Sequence, residues 1–159
     1  MPHFGNFGKS ILFVAVLFGL ALGVFVGGFV EGYASAVPEK LSSYDHVDES
    51  EILLTGNTVL ISTGHELRWS KFEDTNSMTP LFDEGHNGLE FVPESVYDIH
   101  LGDVISFDYE GETYIHRVVE IGNDEVGRYF LTKGDNNFNV DEGVRRFQDI
   151  NGVLFGVVF

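Results

Sequence analysis

Four side chains of this sequence are of types that cooperate in acyl transfer. Ser77 stands in the stretch "TNSMTPLFDEGH", ahead of an acidic, turn-rich run that ends at His86. His116 lies within "ETYIHRVVEI", and Asp135 and Asp141 flank an Asn pair in "KGDNNFNVDEG". A serine hydroxyl becomes a competent nucleophile when a base removes its proton as it attacks. An imidazole can accept that proton near neutral pH. A carboxylate behind the imidazole fixes its tautomer and stabilises the imidazolium that forms. Each residue also has an ordinary reading: a serine before Met and Pro is a common turn residue, and an Asp in Gly-Asp-Asn-Asn can cap its own turn by accepting backbone N–H bonds.

The elements that must position these groups read as strands. Short apolar runs rich in β-branched and aromatic residues are separated by Gly, Asn and Asp: "EILLTGNTVLISTG", "NGLEFVP", "GDVISFDYEGETYIHRVVEIGNDEVGRYFLTKGDNN" and "INGVLFGVVF". Around His116 the period is two, with Tyr114, His116 and Val118 on one face and Ile115, Arg117 and Val119 on the other. "DYEGET" and "IGNDEVGR" look like hairpin turns. The predicted fold class is mostly β: a small antiparallel domain over residues 50–159, long enough for one core. Neither an internal repeat nor a low-complexity tract is present.

The remainder of the 159-residue chain divides into three. Residues 1–9 form a short N-terminus, and residues 10–30 contain "ILFVAVLFGLALGVFVGGFV", a run without charge that is long enough, as a helix, to cross about 30 Å of hydrocarbon. It predicts one transmembrane helix. Lys9 before it and acidic residues after it place the N-terminus in the cytoplasm and the domain outside. The alternative is a removable signal peptide, because Ala34-Ser35-Ala36 offers small residues at cleavage spacing, although the apolar run is longer than such cores usually are. Residues 31–49, with Pro38 and Ser42-Ser43, lack an apolar period and read as a polar tether. With 25 acidic against 9 basic residues and a formal net charge of −16, the domain repels phosphate backbones, which argues against nucleic-acid partners. The absence of cysteine excludes disulfides, thiolate metal sites and a cysteine nucleophile.

Taken together, in this order and behind one apolar segment, the blocks resemble type I signal peptidases, in their archaeal and endoplasmic-reticulum branch. The resemblance covers roughly residues 75–159 and the N-terminal anchor. The family's Ser-Met-x-Pro box matches Ser77-Met78-Thr79-Pro80, its Gly-Asp block matches Gly102-Asp103, its His-Arg pair matches His116-Arg117, and its Lys-Gly-Asp-Asn-Asn box matches Lys133 to Asn137, with a further acid at Asp141. Each box alone is weak; four in order are specific. The bacterial branch places a lysine base where His116 stands. Asn76 and Thr79 depart from the commonest residues beside the nucleophile.

The resemblance implies a membrane-anchored serine endopeptidase that removes signal peptides from secreted preproteins, with its catalytic domain on the extracytoplasmic side of the cell membrane. Ser77 would be the nucleophile, His116 the general base and Asp141 its partner, while Asp135 holds its loop. The Ser77 N–H and the Thr75 hydroxyl would stabilise the oxyanion, such donors being worth roughly 3–4 kcal/mol each. Met78, Leu81 and Phe82 have an ordinary reading as core under a loop, which is preferred for Leu81 and Phe82; the resemblance implies instead an apolar surface beside the nucleophile against the outer leaflet. The partners implied are extended preproteins with small residues at the cleavage site, membrane lipid and neighbours in the translocation machinery. Two other readings stand beside this one: a non-catalytic anchored β-domain scaffold, and a peptidase of the same fold dedicated to itself or to one partner.

No cofactor or metal is implied. His65, His86 and His100 show no ligand spacing and read as surface-loop residues. Lys133 reads as a strand-end residue, Asp103 as a turn cap or catalytic aid, and Arg145-Arg146 as a salt-bridged or solvated face. The segment "DEGHNGLEFVPESVYDIH" reads as a turn region without an assigned function.

Overall fold

A computed structural model of the protein describes residues 41–159. The expected transmembrane helix, the cytoplasmic N-terminus and the first part of the tether lie outside the described residues. Among those described, regular structure is antiparallel β with three short 3-10 turns and no α-helix. The mostly β, antiparallel expectation is met.

Two strands, β1 (Ile52–Thr55) and β2 (Thr58–Ile61), make a separate ribbon. Six more form one sheet: β3 (Leu67–Lys71), β4 (Asn87–Phe91), β5 (Val104–Tyr109), β6 (Glu112–Asp124), β7 (Gly127–Lys133) and β8 (Ile150–Val158). Their spatial order is β3-β4-β8-β5-β6-β7, so β8 joins the β3-β4 pair to the β5-β6-β7 meander. Both expected hairpins are present: Tyr109 pairs with Glu112 around Glu110-Gly111, both at positive φ, and Asp124 pairs with Gly127. That conformation at both central residues matches the twist of the flanking strands. β3 was not among the expected strands, since "LRWSK" has little apolar alternation; β4 recruits it as an edge strand in register from Leu67↔Phe91 to Lys71↔Asn87.

Apolar side chains cover both faces of the sheet because strand neighbours point to opposite sides. Ile105 and Val153 join Phe91, Phe107, Val118 and Phe130 in one buried cluster. Their sequence neighbours Val104 and Leu154 join Phe72, Met78 and Phe82 in the other. Phe72 and Phe82 stack with ring centroids 3.9 Å apart, which ties the chain after β3 to the turn that follows Ser77.

The segment before β1 departs from the expected tether. Ser43 Oγ donates to Gly102 O at 3.3 Å, and the Tyr44 N–H donates to Asp103 Oδ1 at 2.9 Å. The Asp103 carboxylate is fully buried and must find partners; the Tyr44 N–H, His46 Nε2 and the His100 N–H supply them. The arginine pair also divides. Arg145 is buried with its guanidinium 4.1 Å from the centroid of Tyr109 and 4.7 Å from that of Phe107, and Arg146 donates to Asp124 Oδ2 at 2.5 Å. That hydrogen bond holds the Asp124 carboxyl below the usual carboxylate range.

Candidate active site

His116 enters the site from β6, where it faces Ile105 across the ladder and is buried by the same two-residue period that buries Val118. Its Nδ1 lies 2.6 Å from Asp141 Oδ2. With Nδ1–H given to the carboxylate, Nε2 is left as the proton acceptor. Asp141 is itself fixed: the same oxygen accepts from Thr132 Oγ1 at 2.8 Å, and the Asp141 N–H donates to Thr132 O at 2.9 Å. Thr132 is fully buried on β7. It is a positioning residue that sequence reading missed, since a threonine in a strand carries no signal beyond β propensity.

Ser77 opens the turn that runs through Met78 to Phe82. Asn76 before it adopts φ of 57°, a left-handed conformation that asparagine tolerates better than most side chains. The Asn76 carbonyl accepts from Thr79 Oγ1 and Asn136 Nδ2, each at 3.0 Å. Ser77 Oγ lies 3.0 Å from Thr75 Oγ1, and the Ser77 N–H reaches the same hydroxyl at 3.4 Å. The nucleophile candidate and both expected oxyanion donors therefore converge. Ser77 Oγ takes Thr75, not His116, as its hydrogen-bond partner here. Nucleophile-base bonds are often long before substrate arrives and tighten in the Michaelis complex.

Ser77, Met78 and His116 line one cleft of about 620 Å³, with Phe72, Phe82 and Ile115 among its apolar walls. Leu81, read as core, is exposed; Met78 and Phe82 are 2% and 3% exposed, so both are cleft wall and core, as preferred for Phe82, and not the lipid-facing surface the resemblance implied. The physical reason is their closure over Phe72, Val104 and Leu154 on the face of the sheet. The cleft floor also holds a carboxylate: Glu90 is buried and accepts from Ser70 Oγ and Ser106 Oγ, both at 2.8 Å. Glu90 comes from "NGLEFVP", the apolar run read as a strand within a segment given no function, and that run is β4.

Asp135 does not touch His116. Its carboxylate receives a two-pronged bond from Arg117, Nε to Oδ1 at 2.7 Å and Nη2 to Oδ2 at 2.6 Å. It was expected to cap its own turn through backbone amides; the guanidinium next to His116 takes that place, because its planar fork matches both oxygens. The Asp135 loop in turn holds the nucleophile candidate, for the Asn136 N–H donates to Ser77 O at 2.9 Å. Gly134 is required by this contact: a Cβ there would sit 2.7 Å from Ser77 O. Asp135→Asn keeps the shape but halves the pairing, and is expected to destabilise the domain by about 1–3 kcal/mol with a modest loss of rate. Thermal melting beside cleavage kinetics checks this; unchanged stability would sever Asp135 from the support of the loop.

No protein-family model matches the chain, and no curated protein matches it.

Proposed function

We propose that this chain is a serine endopeptidase that cleaves membrane-delivered preproteins after small residues, by attack of Ser77 with His116 as base and Asp141 as the orienting acid. What carries the reading is the 2.6 Å contact of His116 Nδ1 with Asp141 at the wall of the cleft that also holds Ser77. In the acylation step the Ser77 oxygen bonds to the scissile carbonyl carbon while its proton passes to His116. The imidazolium then protonates the departing amine, and water attacks the ester by the same route in reverse. The Ser77 N–H and Thr75 hydroxyl would turn toward the oxyanion as it forms.

Two features support an extended peptide substrate. β3, which contributes Ser70 and Lys71 to the cleft, pairs among the described residues only with β4. On the far wall, Glu112 to His116 pair with β5, while β7 pairs with β6 only from Arg117 onward. Each wall leaves backbone groups free for an added strand, so main-chain hydrogen bonds give affinity and the alternate side chains give selectivity.

Contact with lipid is assigned to the β1-β2 ribbon in place of Met78. Leu53 and Leu60 face each other at 58% and 52% exposure, and Leu54 and Val59 at 73% and 57%. Successive residues point to opposite faces, so the ribbon is apolar on both. In a domain of this charge, such a ribbon suits the acyl boundary of a bilayer better than water.

The test is cleavage of a preprotein with an Ala-x-Ala site by the full chain in detergent, beside the same preprotein with leucine at both small positions. Cleavage of the first alone, after the second alanine, is expected. Equal cleavage of both would remove the small-residue pockets, and cleavage of neither after reconstitution in lipid would leave the anchored scaffold as the better account.

A further inference from the structure

We propose that His46, His100 and Asp103 form a binding site for a divalent transition-metal ion of the zinc class. None of the three lines the cleft. One ligand comes from the segment before β1, and the other two from the turn that leads into β5. Their donor atoms lie within 4.8 Å of one another. His46 Nε2 is 2.9 Å and His100 Nδ1 3.7 Å from Asp103 Oδ2. Donors around a tetrahedral zinc, at 2.0–2.1 Å from the metal, stand about 3.3 Å apart. The observed separations bracket that value, so small side-chain rotations would complete the geometry.

A hydrogen-bonded clasp would explain His46 and leave His100 unexplained. His100 Nδ1 is inaccessible to water and has no hydrogen-bond partner, since 3.7 Å to the carboxylate is too long for one. A polar atom in that position is costly unless something binds it. A metal ion would satisfy it together with the carboxylate. Supporting contacts already orient the ligands, as outer-shell partners do in metal sites. The Tyr44 N–H holds Asp103 Oδ1 at 2.9 Å, and the His100 N–H holds Oδ2 at 2.8 Å. The Tyr44 ring stacks on the His100 imidazole with centroids 4.0 Å apart, and His46 leans on Phe91 at 4.9 Å.

The donor set selects the ion. Two imidazoles and one carboxylate suit zinc, copper or nickel, whereas calcium and magnesium take oxygen ligands. Three protein ligands leave a fourth position for water. A bound ion would pin residues 44–46 to the turn at Asp103, whose backbone carbonyl accepts from the Val118 N–H at 2.7 Å. The site therefore lies one strand residue beyond Arg117, outside the cleft.

Cobalt and zinc titrations of the chelator-stripped full chain in detergent, with millimolar magnesium present to saturate surface carboxylates, test the proposal. Expected are one equivalent per chain, the visible absorption of four-coordinate cobalt, and a rise in melting temperature of about 10 °C at a hundredfold excess over Kd. His100→Ala and His46→Ala should each weaken binding at least a hundredfold, and His116→Ala should leave it unchanged. His100→Asn replaces His100→Ala if the latter fails to fold. The proposal is overturned if the wild type shows no saturable binding, if both His100 variants bind as wild type, or if His116→Ala abolishes the cobalt signal.

Discussion

Ser77→Ala and His116→Ala are each expected to lower cleavage by about 10⁴- to 10⁶-fold, and the double variant to be little slower than either one. The reason is that the two groups perform a single proton transfer. Without the hydroxyl the imidazole has nothing to deprotonate, and without the imidazole the hydroxyl is a weak nucleophile. Ser77→Ala should leave stability little affected, because Ser77 Oγ is bonded only to the neighbouring Thr75 hydroxyl, whereas His116→Ala empties a buried position and removes a partner of Asp141, so it should cost about 1–3 kcal/mol while the domain still folds. Rates additive in the two substitutions would show that the residues act separately. Near-normal turnover by His116→Ala would dismiss the imidazole as base and bring back Lys133, on the strand end of β7, for consideration.

The second large effect is expected at the acid. Asp141→Asn should reduce turnover by roughly 10⁴-fold with little change in melting temperature. The amide can still accept from the Thr132 hydroxyl, which donates to Asp141 Oδ2 at 2.8 Å, so the loop keeps its anchor. What it cannot do is favour the Nδ1–H tautomer unambiguously or stabilise an imidazolium. Asp135→Asn should give the reverse pattern, a stability loss with a modest rate effect, because its partner is Arg117. Melting curves and single-turnover cleavage of both variants separate the cases. A stable, inactive Asp135→Asn beside an active Asp141→Asn would exchange the roles.

The legible parts of this site were those written in local pattern. His116 could be placed on a strand because Ile115, Arg117 and Val118 alternate around it, and the hairpins on either side carry their own turn residues. The pairing of His116 with Asp141 in preference to Asp135 was anticipated from turn chemistry and from the family resemblance. Other features depend on convergence between distant segments, which spacing does not encode. Glu90 looked like one acid among many until β4 placed it over Gly152 and between two serine hydroxyls. Arg145 was read as salt-bridged or solvated, yet Phe107 and Tyr109 supply it with aromatic faces in place of a carboxylate. His46 fell in a stretch read as tether, and His100 and Asp103 were each read alone. Met78 was legible as apolar, but whether an apolar side chain faces lipid or core is a property of the finished sheet.

The position of β8 governs when the site can come into being. Ser77 follows β3 in one part of the sheet, and His116 stands on β6 in the other. Among the described residues, β8 is the only strand that hydrogen-bonds to both β4 and β5. On the ribosome Ser77, His116 and Asp141 are therefore all made before the strand that unites the halves. A nascent chain carrying Ser77, His116 and Asp141 but lacking β8 has no assembled cleft. On the proposed reading, the order of the strands alone would keep Ser77 and His116 apart in any chain whose β8 has not yet been made.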